Sequence, residues 1–256
     1  MLRIRIGSTV ILGRPDDVQK RVEGLFVAKN GWVGWDDGGG EIRREAVPRP
    51  SSHGEFDLPV FQGSRVFSID GHALAWSELE LGHLRSVVNG IGATGDRVKV
   101  TVDHQGQTLW AMARRGAKPK FEDSGIRHGL HRAKFFLQFV AADPRKYGEL
   151  RTFADGEAAF HYGNFPATPR YTVLGTAETG YTVTGPGGRQ VVVQRPLAPS
   201  APHVLDFATG GLYIGGSRVM GAITKYEPWS IPPGSEVTAV VNGSRTLRAE
   251  LADTFI

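Results

Sequence analysis

Short runs of strand-forming residues recur along most of the chain, separated by glycine and proline, and this pattern limits the possible folds most strongly. The sequence has 256 residues, with 34 Gly and 15 Pro. Val, Ile, Thr and aromatic residues favour strands, whereas Gly and Pro mark the turns between them. The candidate strands of the first half are LRIRIG, GLFVAK, RVFSIDG, the hairpin RVKVTVDHQGQTLWAMARR, and AKFFLQFVA. The sequence therefore predicts a mainly β protein.

One segment, WSELELGHLRSVVNGIG, departs from the strand pattern. Ser77 followed by Glu80 forms a capping box, a common signature of a helix start, and Asn89-Gly90 supplies a stop signal. The apolar residues between them have helical spacing and are Leu81, Leu84, Val88 and Ile91. We predict a single helix over residues 77–89.

A break at Asp143-Pro144 divides the chain. Proline cannot donate to a β ladder and moves the preceding residue away from helix, so a strand must end there. After Tyr147-Gly148 only short strand runs remain, at the spacing of a β-sandwich. They are RYTVLG, GYTVTG, QVVVQ, HVLDFA, GLYIGG, EVTAVVNG and TLRAEL. We predict a first domain over 1–146 and a second, all-β sandwich domain over 147–256, with a final hairpin turning at Asn242-Gly243.

The region from Gly34 to Pro59 has three consecutive glycines, several prolines and few apolar residues. Loops of this length are uncommon inside compact domains unless they are functional or ordered by a partner. We predict a belt-like extension here. In the second domain, Trp229 with the segment Ile231 to Gly234 is predicted to plug the sandwich, and Gly163 to Pro169 to form a stiff entry segment.

Composition and charge exclude several classes of function. The chain lacks cysteine, which excludes thiol catalysis, cysteine-ligated zinc and disulfides. The N-terminal stretch alternates charged and apolar residues, so neither a signal peptide nor a membrane anchor is expected. The net charge of +4 comes mainly from residues 111–134. The basic residues of this window are Arg114, Arg115, Lys118, Lys120, Arg127, Arg132 and Lys134. We interpret them as a solvated loop or a charged subunit contact rather than a nucleic-acid reader.

Motifs for catalysis are lacking. The sequence contains no nucleophile elbow, phosphate loop or dinucleotide fingerprint, so we predict no enzyme, no catalytic residue and no cofactor. His128 and His131, with Glu122 and Asp123 nearby, could ligate a metal, but their spacing is not that of zinc hydrolases and we predict a solvated loop. Five aromatic residues could stack on sugars, although packing explains them better. They are Trp32, Trp35, Trp110, Trp229 and Tyr213.

Four segments resemble the distal tail proteins (Dit) of long-tailed phages, particularly the minor tail proteins of phages that infect actinobacteria. They are RPSSHGEFDLPVFQGSRVFSIDG in the first domain, FLQFVAADPRKYG at the junction, GNFPATPRYTVLG at the start of the second domain, and WSIPPGSEVTAVVNG near its end. The resemblance implies a first domain with a β-sandwich, one helix and a belt, and a galectin-like second sandwich without room for an inserted carbohydrate-binding module.

The same resemblance implies a virion structural protein, synthesised and assembled in the host cytoplasm and located at the tail tip. It implies a hexameric ring at the tip of the tail tube, with the tail tube or terminator-side proteins, the baseplate hub or tail-associated lysin, and receptor-binding proteins as its partners. DNA would pass through without being read, and no membrane is involved. The alternative is a carbohydrate-binding adhesion module. The candidate ring contacts are Trp32, Trp35, Phe56, Phe61 and Arg65, and the candidate lumen or subunit-contact residues are Arg114, Arg115, Lys118, Lys120 and Arg127.

Overall fold

The computed structural model describes residues 1–13 and 23–256, and the chain divides into two compact units. The first unit comprises Met1–Lys146 with Ile256, and the second comprises Tyr147–Phe255. Among the described residues, no helix combines the length and apolar character needed to cross a bilayer.

Within residues 1–13 and 23–146, the first unit consists of strands and one helix. Its elements are β1 (Arg3–Ile6), β2 (Thr9–Leu12), β3 (Gly24–Val33), β4 (Ile42–Arg43), β5 (Phe61–Gln62), β6 (Arg65–Ala75), α1 (Glu78–Gly90), β7 (Val98–His104), β8 (Gln107–Arg115), β9 (Lys120–Arg127) and β10 (Leu130–Ala141). The main sheet runs in the order β8-β7-β1-β2-β3-β6-β10-β9, and a further pairing of β8 with β10 closes it on itself. The hairpin predicted from β7 to β8 is present, with Gln105 and Gly106 in the left-handed conformation at its turn.

Buried and more exposed side chains alternate along β6 and β10, and the buried ones contribute to the core of this unit. Phe67 and Ile69 on β6 stand opposite Phe139 and Leu137 on β10, and all four side chains are buried. Such cross-strand apolar pairs stabilise a sheet because both residues leave water on the same face. A period of two therefore places the apolar side chains of both strands in one cluster.

The helix forms where the sequence predicts it. Ser77 is its N-cap and accepts from the backbone N–H of Glu80, while the Glu80 carboxylate accepts from the Ser77 N–H. Leu81 and Val88 are its buried residues, and they face the sheet. Its C-terminal carbonyls are capped from a distant strand, because Arg115 Nη1 on β8 donates to Asn89 O at 2.8 Å and Ile91 O at 3.2 Å.

The second unit contains strands only, apart from a short 3-10 turn at Pro186–Gly188. Its strands are β11 (Lys146–Phe153, beginning on the last residue of the first unit), β12 (Ala159–Phe160), β13 (Arg170–Leu174), β14 (Tyr181–Thr184), β15 (Gln190–Val193), β16 (His203–Asp206), β17 (Gly211–Ile214), β18 (Ser217–Val219), β19 (Ile223–Tyr226), β20 (Glu236–Val237), β21 (Val240–Val241) and β22 (Thr246–Phe255). One sheet runs β18-β17-β16-β13-β22-β11, a four-stranded sheet runs β19-β15-β14-β21, and β12 pairs with β20.

The two larger sheets of the second unit enclose one core. Tyr171, Leu205 and Leu247 from the first sheet are buried in the same cluster as Val183 and Val191 from the four-stranded sheet. This is the packing of a β-sandwich, in which inward-facing side chains of two sheets share one apolar layer.

Trp229 lies in this sandwich core, as predicted. Its ring is 4.8 Å from that of Phe207 and 5.6 Å from that of Tyr171, centroid to centroid. Its indole N–H donates to the Tyr171 hydroxyl at 2.9 Å, so the one polar group of the side chain is satisfied. A Cβ at Gly185 would lie 2.5 Å from the indole ring, so glycine is required there.

The predicted final hairpin at Asn242-Gly243 is wrong. β21 pairs with β14 in the four-stranded sheet, whereas β22 pairs with β13 in the other sheet. The turn therefore carries the chain from one sheet to the other. Asn242 stabilises it, because its side-chain oxygen accepts from Thr182 N at 2.8 Å and its own N–H donates to Thr182 O at 3.1 Å.

Candidate assembly surfaces

An extended arm, residues 41–63, leaves the first unit between β3 and β6. Its two sides pair near the base, where Ile42 stands opposite Gln62 and Arg43 opposite Phe61. They pair again further out, where Phe56 N donates to Val47 O at 3.0 Å. The predicted belt region therefore contains a two-sided arm with its own main-chain pairing, rather than only an open loop.

The arm carries many exposed apolar side chains. The exposed fraction of Phe56 is 48%, and that of Phe61 is 57%. Its other exposed large apolar residues are Ile42, Val47, Leu58 and Val60. Exposed apolar residues on monomeric proteins are normally scattered singly, so this cluster makes the arm a candidate contact site.

Arginine side chains cross-link the arm. The Arg43 guanidinium lies 5.5 Å from the centroid of the Phe61 ring, and that of Arg49 lies 5.8 Å from the Phe56 centroid. Arg44 forms an ion pair with Glu55 across the arm. Each of these contacts is worth on the order of 1 kcal/mol or less at an exposed site, and all three join one side of the arm to the other.

The base of the arm surrounds a buried guanidinium. Arg65, the first residue of β6, is fully buried. Its Nη1 lies within hydrogen-bond distance of three carbonyl oxygens, those of Gly34 (3.1 Å), Trp35 (2.9 Å) and Asp37 (2.9 Å). Its Nε donates to Pro144 O at 2.8 Å. Burial lowers the pKa of Arg65 below its usual range, and the negative charges of Asp37 and Asp36 oppose that effect.

Lys146 adds a second buried cation at the same point. Its Nζ donates to Trp35 O at 2.9 Å, so Lys146 and Arg65 share one acceptor. Burial lowers the pKa of Lys146, and the neighbouring Arg65 charge lowers it further. These contacts join the first residues after β3 to the segment that follows β10.

The candidate ring contacts fall into two groups. Phe56 and Phe61 are exposed on the arm. Trp35 is buried at its base, where its ring is 5.2 Å from that of Phe67 and 5.7 Å from that of the half-buried Trp32. Because Trp35 and Arg65 are enclosed within the first unit, any part they have in assembly is indirect.

The basic residues between 111 and 134 do not lie in one loop, so the interpretation as a solvated loop is wrong, whereas the alternative of a subunit contact stays a prediction. Arg114 and Arg115 lie on β8, and Lys120 and Arg127 begin and end β9. Arg115 caps the helix, and Arg114 donates to Gly95 O, so both make contacts inside the unit. Lys118, Lys120 and Arg127 are exposed.

The histidines of this window do not assemble a metal site. His128 lies in the turn between β9 and β10, and His131 lies on β10. Within residues 1–13 and 23–256, no three His, Asp or Glu side chains come together as candidate metal ligands.

The five aromatic residues considered for sugar binding do not form one platform. Trp35 and Trp229 are buried, in different units. Trp110, on β8, is half-buried, and Lys99 Nζ lies 4.4 Å from its ring centroid. Tyr213 lies on β17, and its hydroxyl donates to Thr209 Oγ1 at 3.1 Å. The rings therefore serve packing and local contacts.

A charged cluster in the second unit escaped the sequence analysis. Buried His161 places Nδ1 2.9 Å from Asp253 Oδ1 and Nε2 2.7 Å from Phe165 O. Arg151 Nη2 donates to the same Asp253 oxygen at 2.6 Å. These contacts tie β22 to the segment after β12. No local motif marks the cluster, because Asp253 is far from Arg151 and His161 in sequence.

The comparisons with known proteins agree with this architecture. No protein-family model and no curated protein matches the chain. Two structures of the phage p2 baseplate in its activated conformation, with Ca and with Sr, match with TM-scores of 0.53 and 0.51 at 8% identity. They cover 99% and 98% of this chain and 98% of the matched chains. The fold is therefore one that occurs in phage baseplate proteins.

A more specific match is to the SPP1 Dit protein (gp 19.1), described as a paradigm of the hub adsorption apparatus in phages that infect Gram-positive bacteria. The identity is 14%, the TM-score is 0.74, and the match covers 100% of both chains. The chain has the fold of a phage distal tail protein, which confirms the mainly β, Dit-like fold that the sequence resemblance implies. The galectin-like topology of the second unit stays a prediction.

Proposed function

We propose that this chain is a distal tail protein, a structural component of the tail tip in a long-tailed phage rather than an enzyme. The observation that carries the proposal is the match to SPP1 Dit over the full length of both chains, with a TM-score of 0.74. The resemblance of four sequence segments to the same family supports it independently. The protein is made and assembled in the host cytoplasm and becomes part of the virion.

We propose further that six copies form a closed ring, and that the arm of each copy contacts a neighbour. A head-to-tail ring requires two different complementary surfaces on each subunit. The arm supplies one of them, because its apolar side chains are exposed in the single chain. Ordering a free backbone costs about 1 to 2 kcal/mol per residue. The pairing already present in the arm reduces that cost.

In this proposal the ring joins the tail tube or terminator-side proteins to the baseplate hub or tail-associated lysin, and receptor-binding proteins attach around it. Phage DNA passes through the central channel without sequence-specific contacts. Lys118, Lys120 and Arg127 remain candidates for the channel wall or for a subunit contact, because they are exposed. The second unit is a β-sandwich, and we propose a galectin-like topology for it.

The decisive experiment is cryo-electron microscopy of purified virions with an antibody or tag on this chain. We expect one ring of the protein at the tail tip, with six copies. A single copy per virion, or a location on the capsid, would contradict the proposal. Native mass spectrometry of the purified protein complements this test by showing whether the ring forms without the tail.

The alternative of a carbohydrate-binding module receives less support from the structure, because the rings considered for stacking are dispersed and two of them are buried. Glycan-array binding separates the two functions. We expect no saturable binding of glycans by the purified chain. If the chain does bind a glycan, and the binding is lost when an exposed ring of the second unit such as Tyr162 is mutated, the alternative function is favoured.

A further inference from the structure

We propose that Arg65 and Lys146 are positioning residues for assembly, which set the direction in which the arm leaves the first unit. The assembly part of this inference rests on the proposed function. The geometric part concerns the single chain and can be tested without a ring.

The acceptors of Arg65 belong to segments on both sides of the guanidinium. Nη1 faces the carbonyls of residues 34, 35 and 37, where the chain leaves β3, and Nε faces the carbonyl of Pro144, after β10. Arginine can serve both sides because its planar guanidinium presents several donors in a rigid fork. A lysine ammonium on a flexible stem cannot hold the same two directions at once.

The backbone at this point leaves little freedom of its own. Gly34 has a φ of +86°, and a Cβ there would lie 2.1 Å from Val66 O. The chain entering the arm thus crosses β6 at main-chain contact distance, next to Arg65. The path of the chain after β3 is set by this crossing and by the hydrogen bonds of the carbonyls to the guanidinium. Removing the guanidinium removes those hydrogen bonds, and the arm can then leave the unit in other directions.

The buried charges of Arg65 and Lys146 are hard to explain by stability alone. Both side chains are buried, Arg65 at 0% and Lys146 at 6% exposure, and they donate to the same Trp35 carbonyl. Burying a cation against neutral carbonyls carries a desolvation penalty, and a well-packed apolar side chain is often at least as stabilising. An arrangement of two cations around one turn is therefore better explained by the geometry that it imposes on that turn.

The test uses limited trypsin digestion of the full-length chain at a concentration too low for assembly. Arg43 and Arg44 on the arm are exposed cleavage sites, whereas Arg49 precedes Pro50 and resists trypsin. Arg127, at the end of β9, is an exposed internal reference on the same unit. We expect Arg65→Lys and Lys146→Met to raise cleavage after Arg43 and Arg44 about tenfold relative to cleavage after Arg127, since buried charged hydrogen bonds are lost.

Matched controls are Arg170→Lys and Lys225→Met, which make the same changes at exposed positions of the second unit. A variant in which all sites are cut faster by the same factor has lost overall stability, and that result overturns the positioning role. An unchanged cleavage ratio in a variant that folds also overturns it.

Ring formation is measured separately by native mass spectrometry. If the wild-type chain forms rings, we expect the two positioning variants to form fewer, with melting of the second unit unchanged. If the arm is released in the variants but the wild type does not oligomerise even in virions, the proposed function fails while the positioning role stands.

Discussion

The arm of the first unit and the sandwich of the second unit use aromatic side chains in opposite ways. Phe56 and Phe61 on the arm are about half exposed, and each has an arginine side chain over its ring. In the sandwich, Tyr171, Phe207 and Trp229 pack edge to face or tilted against one another, and all three are buried.

Because of this difference, we expect the aromatic residues of the sandwich to affect stability and those of the arm to affect assembly. The sandwich completes its apolar contacts within one chain, so its aromatic residues contribute to the free energy of unfolding of that unit. The apolar surface of the arm is still in contact with water, so its burial can contribute only when a partner covers it. Substitutions in the two regions should therefore affect different measurements.

The largest effect is expected from changing the arm. In the double variant Phe56→Ser, Phe61→Ser, we expect the ring to be lost at concentrations where the wild-type chain assembles, because central aromatic residues contribute about 2 kcal/mol or more each to an interface. The free energy of unfolding should stay within about 0.5 kcal/mol of the wild-type value, since substitutions at exposed positions have small effects on stability. Native mass spectrometry and differential scanning calorimetry measure the two outcomes.

A matched control for the arm is the double variant Leu150→Ser, Met220→Ser. These residues are exposed by 60% and 78% and lie outside both the arm and the basic window. The control should assemble like the wild type. Equal loss of the ring in both double variants would show that the arm has no special part in assembly.

The next effect is on the sandwich. Trp229→Ala should destabilise the second unit by about 3 to 5 kcal/mol, because it leaves a cavity between Phe207 and Tyr171. It also removes the indole donor to the Tyr171 hydroxyl. Urea unfolding followed by tyrosine fluorescence measures the change. Met220→Ala, at a position of the same unit that is 78% exposed, is the control and should cost far less. Similar costs for both variants would contradict the contrast between the two regions.

The smallest effect concerns pH. Burial lowers the pKa of His203 in the folded state, the nearby Arg195 lowers it further, and the hydrogen bond with the Pro196 backbone opposes both. The Tyr181 hydroxyl lies 3.2 Å from His203 Nδ1, which suits a neutral imidazole. Because the unfolded state binds the proton more readily, stability is complete above the unfolded pKa of about 6.5 and decreases as pH falls below it.

The measurement for this prediction is the melting temperature of the second unit between pH 8 and pH 5, compared with that of His203→Gln. We expect the wild type to lose stability on acidification and the variant to lose less. If the two curves run parallel, the burial of neutral His203 does not contribute to the pH dependence.

Local features were read correctly from the sequence. The capping box of Ser77 and Glu80 correctly located the helix, and the turn at Gln105-Gly106 correctly located the β7–β8 hairpin. These signals act between residues that are close along the chain, so they do not depend on how distant segments pack. The assignment of the domain functions and of a galectin-like topology stays a prediction.

Features that depend on distant partners were read less well. Arg114 and Arg115 are close to Lys120 in sequence, yet they lie on a different strand and contact the end of the helix region. Asn242-Gly243 has the sequence of a hairpin turn, but the strands that it joins belong to two sheets. Neither outcome is encoded within a few residues, because the choice of pairing partner depends on the packing of the whole unit.

The amino-acid sequence alone established a mainly β chain with one capped helix, no cysteine chemistry and an extension rich in glycine and proline after β3. Only the folded units show that this extension pairs with itself, that Arg65 and Trp35 are enclosed at its base, and that Phe56 and Phe61 remain exposed. The physical reason is range: backbone preferences and capping are settled within a turn or two, whereas burial is settled by which distant segments meet.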